Sequence, residues 1–375
     1  MAQRAITITP QWPGRISAAL ILLLTLGTLL AVGLRAEWLA GPSPADCSAI
    51  RFTVSQAIVS ATMSVVLAIP LARALARRRF RGRALLISLL GAPFLLPVIV
   101  AVLGLLAVFG RSGVVNDLLA TMGLPTMSIY GFHGVVLAHV FFNLPLATRL
   151  LLQGWLSIPA ERFRLTASLD ASVWSLLERP MLQRIVPGIF LVIFLICLTS
   201  FAVALTLGGG PRATTIELAV YQALRFDFDL GRAAFLAGIQ FAICALAAVI
   251  AWKLTPLTSL SGGMDRVVDR FDLPHPFGDG VIIGALALFL LLPLGLVLAC
   301  GVPGLVDLPA SIWLAAGRSV VVSVTATLLC LAMALALGLW RGPVAQIAGL
   351  LPLAASGLVI GTGAFIALQL SLIHI

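Results

Sequence analysis

The sequence predicts an all-α membrane protein, a multi-span helical bundle built as two fused and related six-span halves, the second truncated after three spans. Three observations predict it. Hydrophobic residues make up 61% of the chain and charged residues only 10%, with a mean hydropathy of +1.12. A water-soluble domain of this length has too little interior to hide that much apolar surface. Apolar runs of about 20 residues, enough for a helix to cross a bilayer, recur along the whole chain. Finally, part of the chain repeats itself.

The spans are expected at 16–34, 52–76, 84–109, 132–152, 185–206, 232–252, 280–300, 311–339 and 344–368. The first is too long and wrongly flanked for a cleaved signal peptide, so it reads as a permanent anchor. Orientation follows from Lys and Arg. The tightest basic cluster, "RRRFRGR" from Arg77 to Arg83, is placed in the cytoplasm, which puts the N-terminus there too. Alternating from that point, the cytoplasmic segments hold most of the basic residues while the acidic ones divide evenly. The net charge of +10 therefore falls on the inner side. Charge beside membrane spans speaks for the lipid bilayer as partner and against nucleic acid. Trp12, Trp38, Trp155, Trp252, Trp313 and Trp340 fall at or near expected span ends, where amphipathic rings prefer the interface. The five cysteines show no metal or redox spacing and read as small apolar residues.

"AIVSATMSVVLAIPLA" (57–72) aligns with "VVVSVTATLLCLAMAL" (320–335), pairing Ser60 with Ser323 and Thr62 with Thr325. "GAPFLLPVIVAVLG" (91–104) aligns with "GLLPLAASGLVIGTG" (349–363), pairing Pro93 with Pro352 and Gly104 with Gly363. The expected organisation is a first half at 1–252, a cytoplasmic linker at 253–279, and three spans of a second half at 280–369. The closing "LSLIHI" (370–375), back-translated, resembles a transposase adapter from sequencing libraries and is expected to be read-through.

Between the fourth and fifth spans lies a polar, helix-prone stretch at 153–184, expected inside. Pro159 suits the start of a helix and Glu161 complements its positive end. Phe163, Ala167, Asp170, Trp174 and Leu177 recur at three- and four-residue spacing, predicting a partly apolar face. Asp170 and Ser172 are placed to cap a second short helix, which Pro180 ends or kinks. The expected product is a helix–turn–helix elbow whose ridge needs a partner groove; the plainer alternative is an amphipathic hairpin resting on the membrane surface.

Ile-Pro, a short helix, a small-residue step, a second helix and two prolines resemble the EAA loop of binding-protein-dependent ABC importer permeases. The resemblance places Arg164, Leu165, Thr166 and Ala167 at the Glu-Ala-Ala run, Asp170 where the family has Gly, and Pro180 and Pro187 at the closing prolines. The signature Glu is missing. The resemblance implies that this loop docks onto a cytoplasmic ABC ATPase, in two copies per transporter. "LGGGPRATTIELAVYQAL" followed by "FDFDLGRAA", within 200–240, is similar to the thiamine importer permeases, a fused two-half family. That similarity implies a periplasmic thiamine-binding protein, thiamine or its phosphates as solute, and the bacterial inner membrane as location. Iron(III) importer permeases share the layout and are the competing reading.

Read from the residues alone, Gly208, Gly209, Gly210 and Pro211 end the fifth span outside. "TTIELAVYQAL" predicts a short amphipathic helix at the interface with Glu217 and Tyr221 on one face. Asp227 and Asp229 form a small acidic patch there, serving either a binding protein or cationic solute, or nothing beyond a solvated loop. Pro145 is expected to kink the fourth span, with Asn143 hydrogen-bonding beside it, as a gate or simply as structure. His133 and His139 do not share a helix face, which argues against a metal pair. The glycines near 208 lack the Lys-Ser/Thr of a P-loop, so no bound cofactor is expected and ATP is expected to be used by the partner subunit. No acidic residue falls in a span centre, against an ion-coupled carrier. No nucleophile, base or metal set is clustered, against a membrane enzyme.

Overall fold

A run of apolar residues in lipid must satisfy its own backbone hydrogen bonds, which leaves the helix as the local solution. The computed structural model of the chain describes residues 11–208, 210, 213–254, 276–340 and 342–372, and all regular structure among them is helical. Most of the expected linker, residues 255–275, and the end of the expected read-through, 373–375, lie outside the described residues. Among the described residues eight helical stretches are long and apolar enough to cross a membrane.

One compact unit comprises Pro42–Leu218 and Leu246–Val302. Its centre is α2, Pro44–Arg77, packed against α7, Phe132–Leu156, and α9, Arg179–Leu198. A capping box starts α2: Ser43 Oγ accepts from Asp46 N, and the Asp46 carboxylate accepts from Ser43 N. Ala57, Ser60, Ala61, Ser64, Ala68 and Ala72 recur on its buried face, and small residues let helices approach closely without help from a hydrophobic effect. The expected third span is not one helix. It breaks into α3, Arg83–Leu89, α4, Ala92–Leu95, and α5, Val98–Phe109. Pro97 lacks an N–H and drives Leu96 into extended backbone (φ −80°, ψ 139°), which no continuous helix tolerates. The unit also holds α6, Val114–Thr121, and α8, Ala160–Ser168, the first limb of the elbow.

Beyond α9 the expected fifth span breaks at 199–201 before α10, Ala202–Leu207, and the chain continues into α11, Ile216–Gln222, and α12, Leu230–Leu254. The helix after the linker, α13 at Pro276–Gly301, starts four residues before its expected position. It packs on α5 and α2. Gly104 makes that approach possible, because a Cβ there would stand 2.8 Å from the Pro293 carbonyl oxygen.

The other unit comprises the described parts of Met1–Gly41, Ala219–Ala245 and Pro303–Ile375. Here α1, Trp12–Arg35, packs against α14, Ala310–Trp340, α15, Pro343–Ala354, and α16, Gly357–Leu372. The expected ninth span is thus also two helices. Its break at Ala355 (φ −100°, ψ 113°) has the same sequence offset from Leu96 that pairs Pro93 with Pro352. Gly363 lies against the Thr28 carbonyl of α1 as Gly104 lies against α13. The opening helix of each expected half therefore packs on the later helices of the other, through matched glycines.

Candidate functional site

The elbow begins with Pro159 in extended backbone just before α8, one residue earlier than its expected place inside the first turn. Glu161 lies in that first turn, where its charge complements the free N–H groups. The helix ends in a Schellman motif: Ala171 N donates to the Thr166 carbonyl (3.0 Å) and Asp170 N to the Ala167 carbonyl (3.2 Å). That motif requires left-handed backbone at its closing residue, and Asp170 supplies it with φ 45°. Asp170 therefore closes the first helix and does not open the second. Ser172 opens it, accepting from Ser175 N at 3.4 Å.

Pro180 does not end the second helix. The limb runs through a π turn over Trp174–Glu178 directly into α9. Arg179 N bonds back five residues to the Trp174 carbonyl. The wider turn absorbs the backbone mismatch that a proline ring otherwise forces on a helix.

Because two helices meet at a tight turn, the three- and four-residue periodicity does not carry across it. Phe163 is not on the outer ridge: it is 2% exposed and packs with Ile158, Val173, Leu177 and Met181 inside the elbow. Thr166 is also buried, its hydroxyl donating to the Arg162 carbonyl. Arg164, Ala167 and Asp170 are exposed. The exposed apolar surface is Leu165 (60%), Leu169 (66%), Trp174 (44%) and Leu176, of which only Trp174 is among the residues the sequence reading assigned to the ridge.

A buried carboxylate seats this elbow. Glu178 has a side chain with 0% exposure. Its Oε2 accepts from Arg73 of α2, at 2.8 Å from Nε and 2.7 Å from the terminal nitrogen. Its Oε1 accepts from Trp155 Nε1 of α7 at 3.0 Å. The Arg73 guanidinium also lies 5.6 Å from the centroid of the Trp174 ring. Thus Trp155 is no interface anchor; it is 1% exposed and holds the elbow. Sequence reasoning missed Glu178 and Arg73. The available signal was an arginine inside an apolar run, which needs a partner.

On the expected outer side, Gly208 leaves no room for a Cβ, which would stand 2.7 Å from the Ala213 carbonyl oxygen. Gly210 takes φ 125°, a conformation open to glycine. Gly209 lies outside the described residues, as do Pro211 and Arg212. The helix α11 is not a surface amphipathic helix: Ile216, Glu217, Leu218, Ala219 and Val220 are all buried. Its first N–H is held by Thr53 Oγ1 of α2 at 2.8 Å. Tyr221 is half-buried and meets Phe226 edge-on at 5.9 Å. Asp229 accepts from Arg232 N at 2.9 Å and so caps α12, while Asp227 lies 3.9 Å from the Arg232 guanidinium. The two acids therefore have structural partners where a bare acidic patch was expected. Asn143 is buried in α7, which runs unbroken through Pro145. Its Nδ2 donates to the His139 carbonyl at 2.9 Å. Of the cysteines, Cys197 and Cys244 are buried as expected, but Cys47, Cys300 and Cys330 are exposed. Among the described residues no His, Cys, Asp and Glu cluster is placed to hold a metal.

No family model matches the chain. Individual relatives do. It is 39% identical to the thiamine transport system permease protein of Salmonella typhimurium and 40% identical to that of Escherichia coli, in each case over 98% of this chain and 74% of the relative. The corresponding protein of Brucella abortus is 38% identical over 95% of this chain and 70% of its own length. The chain belongs to the thiamine transport system permease family. Its multi-pass helical fold and transport class follow from that membership and from the eight membrane-length stretches.

Proposed function

We propose that this chain is the membrane-spanning subunit of an ATP-driven importer in the bacterial inner membrane, with its N-terminus in the cytoplasm, and that its solute is thiamine. The observation that carries the reading is the 39–40% identity to thiamine permeases across 98% of the chain. An alignment at that identity spanning 98% of the chain favours thiamine over iron(III).

In this reading a periplasmic binding protein delivers thiamine to the outer face. A cytoplasmic ATPase, in two copies, hydrolyses ATP and moves one elbow in each of two fused halves. Leu165, Leu169, Trp174 and Leu176 form the ATPase-docking ridge. Glu178 passes the motion to α2 through Arg73 and to α7 through Trp155. The test is ATP hydrolysis by the reconstituted complex with loaded binding protein. Stimulation by thiamine alone is expected. Stimulation by ferric iron alone overturns the solute, and stimulation by neither overturns the reading.

A further inference from the structure

The interior of the α2–α7–α9 bundle carries a polar network that the elbow does not use. The break after α9 leaves its last carbonyls without helical donors. Gln56 of α2 meets one of them, its Nε2 donating to the Cys197 carbonyl at 2.9 Å. Asn143 Nδ2 lies 3.4 Å from Cys197 Sγ. One turn away, Ser60 Oγ lies 3.4 Å from His139 Nδ1. Gln56, Ser60, Ser64 and Asn143 are all 0% exposed and His139 is 3% exposed.

The network is satisfied on one side only. Among the described residues no partner reaches Gln56 Oε1, Ser64 Oγ, His139 Nε2 or Asn143 Oδ1. Buried polar groups are normally hydrogen-bonded, and leaving them dry in a membrane bundle is costly. Four such atoms on one seam exceed what a cap for α9 requires, since Thr199 already donates to the Leu195 and Ile196 carbonyls and Gln56 Nε2 to that of Cys197. No carboxylate lies among these residues. The unmet groups include two amide oxygens, which accept hydrogen bonds and present partial negative charge.

We propose that this seam is a closed stretch of the solute pathway. When α7 separates from α2 and α9, Gln56 and Asn143 offer their amide oxygens, and His139 and Ser64 their free positions, to an organic cation bearing N–H donors. The inference deepens the importer reading and rests on it.

Cys197 is a native reporter on the seam. In a permease in which every other cysteine is replaced by alanine, Cys47, Cys244, Cys300 and Cys330 among them, assembled with its ATPase and thiamine-binding protein, N-ethylmaleimide labelling is compared at rest and during ATP turnover. Cys197 is expected to react at least fivefold faster during turnover. Thiamine-stimulated ATP hydrolysis with no change in labelling overturns the seam while leaving the importer reading intact. Failure of thiamine to stimulate overturns the importer reading and the seam with it. As a second measurement, Asn143→Leu keeps the volume and removes the amide. Thiamine uptake is expected to fall at least tenfold with co-purification of the ATPase unchanged. Unchanged uptake overturns the proposal.

Discussion

Replacing Glu178 with Leu should release the elbow from the membrane helices. The carboxylate is fully buried and accepts from Arg73 and Trp155. Removing one partner of a buried pair costs about 3–5 kcal/mol when the other stays buried. Arg73 is 28% exposed and recovers some hydration, which takes the ionic part to about 2–3 kcal/mol. Trp155 Nε1 has no such route, and an unmet buried N–H adds about 1–3 kcal/mol. The seat of the elbow should weaken by about 3–6 kcal/mol in all. Glu178→Gln keeps an acceptor for Trp155 and should cost less. Arg73→Leu combined with Glu178→Leu removes both charges and should recover much of the loss, because buried ion pairs exchange for apolar pairs at small net cost. Hydrogen exchange read by mass spectrometry over residues 158–182 is the direct assay. Glu178→Leu should raise exchange there and lower stimulated ATP hydrolysis while the ATPase still co-purifies. Unchanged exchange across 158–182 would refute the latch.

The other predictions concern the elbow and the start of α13. Phe163→Ala should destabilise the elbow by about 3–5 kcal/mol through a cavity, whereas Trp174→Asp should weaken ATPase co-purification with elbow exchange unchanged; the opposite pattern would reverse their roles. Asp170→Gly should leave elbow stability within about 1 kcal/mol of the parent, relief of left-handed strain being offset by chain entropy, and Asp170→Val should cost about 1–2 kcal/mol. Both are read by the same exchange measurement. Asp279 is buried, 2.7 Å from both Arg77 and Arg78, so Asp279→Asn should destabilise the α2–α13 contact, seen as earlier thermal unfolding in detergent. An unshifted transition would show that the pair contributes nothing net.

Most of the spans, the elbow and its sharp turn were legible because each rests on local chemistry: apolar length, Ile158-Pro159, and an aspartate standing where the resembled family has glycine; the ninth expected span was not, since eight membrane-length stretches are found among the described residues. What sequence could not supply was direction across a turn. Phe163 and Trp174 look equivalent at helical spacing, yet one is core and the other surface, because the turn at 169–172 resets the phase. Glu178 was hidden for a different reason. Its partners lie 105 and 23 residues away, and only packing of α2 and α7 brings them together. The broken third span was visible in Pro93 and Pro97, but apolar length outweighed the prolines. The capping work of Asp229 was masked by reading its charge alone.

The π turn has a mechanical consequence. The second limb and the membrane helix form one unbroken helical stretch, with Pro187 inside it, roughly 35 Å from Trp174 to Cys197 at helical rise. Glu178 is its fulcrum, held by Arg73 and Trp155 near the elbow end. A tilt of about 5° as one body about Glu178 would displace Cys197, roughly 28 Å away, by about 2.5 Å, close to one hydrogen-bond length. The short arm carries the exposed Trp174 and Leu176 and the long arm ends at Cys197, so a small stroke at the elbow would be geared up before it reaches the far end of α9.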